Sequence, residues 1–482
     1  MNWEPVIGIE VHVELKTESK MFCGCRADFG AEPNTNVCPV CLALPGALPV
    51  PNEQAIEWIV EIGLALNCTI AEESIFHRKN YFYADLPKNY QISQFDTPVC
   101  SNGYLDVEMD GEFTRVAINR VHQEEDTGKS IHVGGGGRIH SAEATHIDFN
   151  RAGIPLVEVV TEPDIHSPAQ ARAYAQQLRS LIESLGVSDA KLEEGSIRFD
   201  ANVSIRPEGA AELGAKVEIK NMNSFRSLER ALDFEIERQT AAVKADQRIV
   251  QETRHWDEAA GVTQAMRSKE GSSDYRYFPE PDLVPIVVSD EWREEIRAML
   301  PELPHQRQAR YADFGVDAHA ASVLVAGEME LSVLFEEAVA LGADPKQAAN
   351  WITGETTAYL RREDKTIKQT GLVAAHLVEL AGMLSDGRLS SSAAKEVLAG
   401  VLEGEGTPEQ VAEKRDLIQM SDTGAIEAAV DSVLEANQEA LEKLRSGDMK
   451  PFGFLVGQVM RITAGKADPK VVNEILRNRA TQ

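Results

Sequence analysis

Apolar and polar residues alternate along residues 6–15, and this alternation predicts a β-strand. The odd positions are all apolar, whereas the last three even positions are Glu10, His12 and Glu14. Because successive side chains of a strand point to opposite faces, one face is apolar and the other carries two carboxylates around an imidazole. The polar face of an antiparallel strand often simply meets water, so this strand alone leaves a functional and a solvent-exposed interpretation open.

Two later segments repeat this pattern and favour the functional interpretation. Residues 196–206 have polar even positions, among them Asp200 and Asn202, and residues 215–220 place Glu218 on one face with two lysines. Mg²⁺ takes one or two carboxylates plus phosphate oxygens, and lysines are point charges for phosphate. We therefore predict that the three strands pair in one sheet that binds a Mg–nucleotide complex.

The other patterns predict an α+β first domain followed by helical domains. Residues 1–290 contain short alternating strands broken by Gly, Pro and Asn turns, with helices between them. The Ala-, Leu- and Glu-rich sequence of residues 291–410 predicts a helical domain, and residues 411–482 predict a small helical tail domain. The helices predicted in the first domain cover residues 52–66, 168–185 and 224–243.

The composition is that of a globular, strongly acidic protein. The 482 residues carry a formal net charge of −29, which argues against loose electrostatic binding to nucleic acid. Residues 443–482, however, contain eight basic and three acidic residues, so a nucleic acid remains a possible partner of this tail. No apolar run of about 18 residues predicts a membrane span. The short lead of residues 1–5 leaves no room for a targeting peptide, so we expect a cytosolic protein.

Four of the six cysteines lie close together as Cys23-x-Cys25 and Cys38-x-x-Cys41. In a cytosolic chain this spacing favours a structural zinc site over disulfides. The C-x-C half is tighter than the usual C-x-x-C pair, and four unligated thiols are the alternative.

An acidic run at residues 123–130 ends in Gly-Lys-Ser, which resembles the end of a P-loop. Gln123 stands where the first glycine of that motif belongs, and this excludes a P-loop. Three consecutive acids are often only a solvated turn, but the preceding His122 favours metal or phosphate binding by Glu124 and Glu125.

Glu158 is a single carboxylate in the otherwise apolar residues 155–160. Burying such a group is costly unless it is paired or ligated. Ligation inside the sheet and exposure on an edge strand both remain open.

Short motifs spread over nearly the whole chain form a specific set when taken together. They cover residues 9–15, 38–41, 44–46, 79–83, 85–87, 124–129, 148–151, 216–221, 274–282, 457–460 and 465–467. In this set the sequence resembles the B subunits of tRNA-dependent amidotransferases, the GatB family.

The resemblance implies a cradle-shaped catalytic domain built on a large antiparallel sheet and akin to glutamine synthetase, a helical domain and a tail domain that contacts tRNA. It implies ATP-dependent phosphorylation of the Glu or Asp side chain on mischarged tRNA, followed by attack of ammonia. The ammonia would come through a channel from an amidase (glutaminase) partner, the A subunit. A small third partner, the C subunit, would complete a heterotrimer.

Elementary chemistry agrees with this reaction. A carboxylate is a poor acyl donor because oxide is a poor leaving group. Phosphorylation of the carboxylate makes phosphate the leaving group, which is a good one, and Mg²⁺ and lysines offset the phosphate charge. Ammonia then needs a dry route, because water competes for the acyl phosphate.

Chemistry and resemblance together assign roles to the candidate residues, and some residues receive two. Catalytic roles at the metal or on the ammonia side are expected for Glu10, His12, Glu125, Glu158 and Asp200. ATP or phosphate binding is expected for Glu124, Asn202, Lys216 and Glu218. Mg²⁺ ligation is expected for Glu10, His12 and Glu125, although spacing leaves the ligand set open and His12 could instead pass a proton. Structural Zn²⁺ is expected at Cys23, Cys25, Cys38 and Cys41. Contacts with tRNA are expected at Lys450, Arg461, Lys466 and Lys470.

Two other classes of protein compete with this interpretation. One is a non-catalytic, zinc-containing scaffold that binds tRNA for a catalytic partner. The other is a free-standing ligase of the glutamine synthetase type that acts on a small acid.

Overall fold

The computed structural model describes residues 2–109, 111–134, 143–266, 275–326, 329–419, 423–446, 449–463, 466–467 and 469–481. The chain divides into two compact units, Met1–Gln306 and Arg307–Gln482.

In the part of the first unit that the structure describes, the chain forms strands and four complete helices. The strands are β1 Trp3–Glu14, β2 Thr69–Ile70, β3 Glu73–Ser74, β4 His77–Asn80, β5 Tyr90–Ser93, β6 Cys100–Met109, β7 Glu112–Glu125, β8 Lys129–Val133, β9 Ala144–Asp148, β10 Pro155–Thr161, β11 Ile197–Pro207, β12 Val217–Met222, β13 Glu252–Asp257, β14 Val262–Ala265, β15 Phe278–Pro279 and β16 Ile286–Val287. The helices are α1 Glu53–Ala65, α2 Pro168–Leu185, α3 Phe225–Lys244 and α4 Asp290–Met299. The helix α5 (Pro304–Asp313) begins at the end of this unit.

Within the described residues, nine strands form the main sheet in the order β14-β13-β12-β11-β1-β10-β7-β6-β2. Neighbouring strands are antiparallel except for β12 and β13, which run parallel. Smaller sheets have the orders β15-β4-β5, β16-β3 and β8-β9. The alternation of β1 explains its central place, because its odd residues, such as Ile9 and Val11, are fully buried in one core with α1, α2 and α3.

Local sequence signals define the ends of α2. The Ser167 side chain accepts a hydrogen bond from the Gln170 N–H, Pro168 occupies the first turn, and Gly186 adopts the left-handed conformation after the last turn. The three helices predicted for the first domain are confirmed to within one residue at each end.

Helices make up the second unit. They are the rest of α5, then α6 Ala318–Ala326, α7 Met329–Ala340, α8 Pro345–Trp351, α9 Thr357–Glu363, α10 Ala374–Ser385, α11 Ser391–Leu402, α12 Pro408–Lys414, α13 Thr423–Ala436, α14 Gln438–Arg445, α15 Phe452–Ile462 and α16 Pro469–Thr481. A π-helix at Ile352–Thr356 joins α8 to α9, and a 3₁₀ turn covers Ile367–Gln369. The described residues of this unit form two apolar cores, one from Tyr311 to Ala412 and one from Ile426 to Leu476.

The predicted mixture of strands and helices with a large, mainly antiparallel sheet is confirmed. The first core extends past residue 290, because Ile296 of α4 and Leu303 pack in it. The three-domain division, the likeness to glutamine synthetase and the tail domain stay predictions. Over the described ranges, no helix is both long and apolar enough to span a membrane.

Candidate functional site

The strand register gathers polar side chains on one face of the central sheet. Glu10 of β1 lies opposite Asp200 of β11. His12 lies opposite Glu158 of β10, which in turn lies opposite His122 of β7. Since the odd positions of β1 fill the core, these even positions form the other face.

Four residues on this face form what we name the histidine cluster: His12, His122, Glu124 and Glu158. His122 Nε2 lies 3.3 Å from Glu124 Oε1 and 3.2 Å from Glu158 Oε2. His12 Nε2 lies 3.7 Å from Glu158 Oε2. Lys79 of β4, in a different sheet, brings its ammonium to 3.5 Å from Glu124 Oε1.

Buried charges shift the pKa values in the histidine cluster. Burial alone would lower the pKa of His122, but the Glu158 charge and hydrogen bonds to both glutamates raise it to about 9. Burial would raise the pKa values of both glutamates, yet the Lys79 charge holds that of Glu124 well below its usual range. The His122 charge lowers the pKa of Glu158 to about 2. At neutral pH, two carboxylates therefore face an imidazolium and an ammonium, and their formal charges cancel.

Three carboxylates further along the same face form what we name the carboxylate cluster: Glu10, Asp200 and Glu218. Each offers an oxygen within 4.8 Å of the others. Lys220 Nζ lies 2.7 Å from Asp200 Oδ2 and 3.0 Å from Glu218 Oε1. One lysine against three carboxylates leaves a formal charge of about −2, which matches one divalent cation.

Asn202 completes the surroundings of the carboxylate cluster. Its Nδ2 donates a 2.9 Å hydrogen bond to Glu10 Oε1. Its Oδ1 is buried and has no hydrogen-bond partner among the described residues. An amide oxygen beside three carboxylates is a further ligand for a hard cation.

Arg198 borders the same face, because it lies opposite His12 in the register. Its Nη2 donates a 2.8 Å hydrogen bond to Asp126 Oδ2. Burial alone would raise the pKa of Asp126, but the charges of Arg198 and Arg151 lower it to about 2. Burial and the charge of Asp126 raise the pKa of the neighbouring Glu14 to about 8.

Glu125 lies apart from these groups. It follows Glu124 in β7, and alternation turns its side chain to the opposite face. Its Oε1 accepts a 2.9 Å hydrogen bond from the Ile92 N–H, and its Oε2 lies 2.5 Å from Lys88 Nζ. Glu125 and Lys88 line a cavity of about 310 Å³ together with Lys20 and Cys41.

The structure thus brings together most, but not all, of the residues expected at the site. Those on the shared face are Glu10, His12, Glu124, Glu158, Asp200, Asn202 and Glu218. Lys216 immediately precedes β12, and its charge contributes to the lowered pKa of Glu218.

Sequence reasoning missed three groups at the site. His122 was available from the pattern, since it shares the even positions of β7 with Glu124. Lys79 lies in one of the motifs that carry the family resemblance, but the strand pattern did not predict it at the site, because it comes from a different sheet. The ion pair of Arg198 with Asp126 joins residues that are 72 positions apart.

The four predicted zinc ligands form a thiol cluster on the loop after β1. All four are free cysteines whose sulfur atoms lie within 4.8 Å of one another. Cys41 Sγ lies 3.9 Å from Cys38 Sγ and accepts a 3.1 Å hydrogen bond from the Cys38 N–H. Ligand sulfurs at about 2.3 Å from a tetrahedral Zn²⁺ are about 3.8 Å apart, so this geometry fits zinc.

The four basic residues expected to contact tRNA lie around the last two helices. Arg461 is in the last turn of α15, Lys470 is in the first turn of α16, and Lys466 lies between them. Lys466 pairs with Asp416. Lys450 lies at the opposite end of α15.

Comparison with known proteins identifies the family to which the chain belongs. The profile described as the GatB/GatE catalytic domain matches residues 5–294, and that of the GatB domain matches residues 333–479. The chain belongs to the GatB/GatE family. Both charged clusters and the cysteines lie in the part that matches the catalytic domain of this family.

Full-length relatives agree with the family match. The chain is similar to the B subunit of the aspartyl/glutamyl-tRNA(Asn/Gln) amidotransferase of Thermodesulfovibrio yellowstonii, with 50% identity over 99% of both chains. It is 49% identical to the protein of that name from Trichodesmium erythraeum, over 99% of this chain and 97% of the relative. It is 47% identical to the one from Geobacter sulfurreducens, over 99% of each.

Proposed function

We propose that this chain is the amidating subunit of an ATP-dependent aminoacyl-tRNA amidotransferase. It phosphorylates the side-chain carboxylate of Glu-tRNA(Gln) or Asp-tRNA(Asn) and replaces the phosphate with ammonia. The observation that carries the proposal is one polar sheet face with two charged clusters, in a chain whose full-length relatives are named B subunits of aspartyl/glutamyl-tRNA(Asn/Gln) amidotransferases.

The carboxylate cluster is our candidate for the magnesium site. Its ligands are all oxygen atoms, and its formal charge balances that of one divalent cation. Asn202 Oδ1, which has no hydrogen-bond partner among the described residues, would supply one further ligand. Mg²⁺ held there would offset the phosphate charge and polarise the phosphoryl oxygen of ATP. This proposal keeps Glu10 as a ligand and assigns the others to Asp200 and Glu218 rather than to His12 and Glu125.

The histidine cluster has a different role, because His122 and Lys79 already balance its carboxylates. We propose that His12 accepts the proton that ammonia must lose after it attacks the acyl phosphate. Imidazole is a common proton acceptor at neutral pH. The Glu158 carboxylate, 3.7 Å away, stabilises the imidazolium that results.

The remaining components of the proposal are those that the resemblance to the GatB family implies. Ammonia comes from a glutaminase partner, the A subunit, and a small C subunit completes a heterotrimer. We propose the cavity on the other face, which Glu125 and Lys88 line, as part of the route of ammonia towards the site. The sheet domain is the glutamine synthetase-like cradle, residues 411–482 form the domain that contacts tRNA, and the enzyme acts in the cytoplasm.

A structural Zn²⁺ belongs to the proposal as well. Cys23, Cys25, Cys38 and Cys41 would hold it as thiolates. Without a metal, the hydrogen bond between Cys23 and Cys41 lowers the pKa of Cys41 and raises that of Cys23. Zinc would cross-link the two cysteine pairs of the loop after β1 and so stabilise the end of this central strand.

Substitution of Asp200 in the reconstituted heterotrimer tests the proposed function. Amide formation on mischarged tRNA and tRNA binding are measured with ATP, and ammonium chloride replaces glutamine so that glutaminase is not needed. Asp200→Asn should lower kcat for amidation by about 10²- to 10³-fold while tRNA binding is kept. The control is Asp106→Asn. Asp106 lies on β6 of the same sheet, where its carboxylate pairs with Arg115.

Two results would contradict the proposal. Equal amidation by Asp200→Asn and the control would favour a tRNA-binding scaffold whose chemistry lies in a partner. Amidation of free glutamate without tRNA would favour a free-standing ligase.

A further inference from the structure

Arg198 has hydrogen-bond donors to spare at the edge of the polar face. A guanidinium has five N–H donors in a planar fork. Within the described part of the chain, the hydrogen bond that the guanidinium makes is from Nη2 to Asp126. About a third of its side chain is exposed, and its strand position lies beside His12.

Two lysines of the polar face, Lys79 and Lys220, are already paired with carboxylates. Lys79 contacts Glu124, and Lys220 contacts both Asp200 and Glu218. A negatively charged ligand that enters this face would have to compete for these lysines, whereas Arg198 can bind it without releasing Asp126.

Asp126 is a rigid support for this arginine. It is buried, accepts a 2.8 Å hydrogen bond from the Thr127 N–H, and lies 3.7 Å from Arg151 Nε. A guanidinium fixed on one edge by a carboxylate presents its remaining N–H groups in a set direction.

We propose that Arg198 binds an anionic oxygen of the reacting groups, and that Asp126 is its positioning residue. The ligand is either the side-chain carboxylate of the aminoacyl ester, with the acyl phosphate made from it, or the γ-phosphate of ATP. This inference rests on the proposed function and adds a residue to it. A planar fork matches the paired oxygens of both ligands, so a lysine is a poor substitute.

Steady-state kinetics of the reconstituted heterotrimer with ammonium chloride test this role. The variants are Arg198→Gln and Arg198→Lys. The control, Arg206→Gln, lies on the same face of β11 and alters an arginine already paired with Glu4. Arg198→Lys keeps a positive charge beside Asp126, so the test does not depend on a variant that leaves a buried carboxylate unpaired.

We expect Arg198→Gln to lower kcat/KM for amidation by about 10²-fold or more and Arg198→Lys to restore only a small part of it. Added guanidinium should partly rescue Arg198→Ala, an effect that a merely structural role would not produce. A raised KM for aminoacyl-tRNA with unchanged KM for ATP identifies the substrate carboxylate as the ligand. A raised KM for ATP alone identifies the γ-phosphate.

The inference is overturned if both Arg198 variants match Arg206→Gln in both KM values and in kcat. Failure of the proposed function is distinguishable, because the wild-type heterotrimer would then form no amide on mischarged tRNA.

Discussion

At the scale of single residues, one step along a strand decides what a carboxylate can do. Glu124 and Glu125 are neighbours, yet Glu124 contacts His122 and Lys79 on the polar face, whereas Glu125 contacts Lys88 on the other. The two faces differ because alternate side chains diverge by the geometry of the strand. A substitution at either position therefore probes a different part of the proposed reaction.

Glu61 of α1 allows a prediction about single-residue electrostatics away from the site. Burial and the charge of Glu57 raise the pKa of Glu61 to about 7. A carboxyl whose pKa rises on folding stabilises the fold below its unfolded value of about 4.5, and this stabilisation is lost as the pH rises through about 7. Glu61→Gln should therefore raise the free energy of unfolding at pH 8 by about 1 kcal/mol, a discounted figure because the side chain is partly exposed.

Thermal unfolding between pH 4 and pH 9 measures this effect. Glu61→Gln should flatten the loss of stability between about pH 4.5 and pH 7. The control is Glu53→Gln in the first turn of the same helix, where the acid interacts favourably with the helix dipole and its removal should not stabilise. An unchanged pH dependence in Glu61→Gln would contradict the assignment.

At the scale of elements, the alternation in three strands was enough to predict the polar face. Residues 6–15, 196–206 and 215–220 correspond to β1, β11 and β12, which are adjacent in the sheet. Period-two patterning encodes which face a side chain takes, but it contains nothing about contacts across sheets or about distant ion pairs. For that reason Lys79 and the pairing of Arg198 with Asp126 could not be predicted from the sequence.

The same pattern in Glu112–Glu125 could have separated Glu124 from Glu125. The even positions of β7 include His122 and Glu124, and the register with β10 brings them opposite Glu158 and Leu156 respectively. Alternation alone assigns Glu124 and Glu125 to opposite faces, but the register is needed to show which of these faces Glu158 shares.

Because the two faces of β1 differ, we predict that substitutions on one face affect stability and substitutions on the other affect catalysis. Ile9 is fully buried in the core, and the adjacent Glu10 lies on the polar face. Ile9→Ala should lower the free energy of unfolding by about 2–5 kcal/mol with a small effect on kcat well below the unfolding temperature. Glu10→Gln should lower kcat by about 10²-fold or more with a small effect on stability. Denaturant unfolding and amidation kinetics of both variants test this prediction. It would be contradicted if the two variants had equal effects on the free energy of unfolding and equal effects on kcat.

At the scale of the whole molecule, the net charge of −29 opposes any RNA, whereas the last forty residues carry a formal charge of about +5. An acidic body repels the phosphate backbone at long range, so RNA contacts are expected where the charge is reversed. The basic residues of α15 and α16 lie in the stretch of the chain matched by the GatB domain profile. Charge therefore favours the tail as the part that contacts tRNA.

Neutralising this tail should weaken tRNA binding without altering chemistry. Replacing Arg461 and Lys470 by glutamine removes two cations that would neutralise tRNA phosphates, so KM for aminoacyl-tRNA should rise while kcat at saturation stays within about twofold. The slope of log K against log salt concentration should become shallower by about 0.7–0.9 for each phosphate that is no longer neutralised. The control is Lys395→Gln on α11 of the same unit, where the lysine pairs with Glu355. An unchanged salt slope in the double variant, or a fall in kcat as large as that of Asp200→Asn, would contradict a role of the tail in tRNA binding. The acidic remainder of the chain would then have to bind the tRNA.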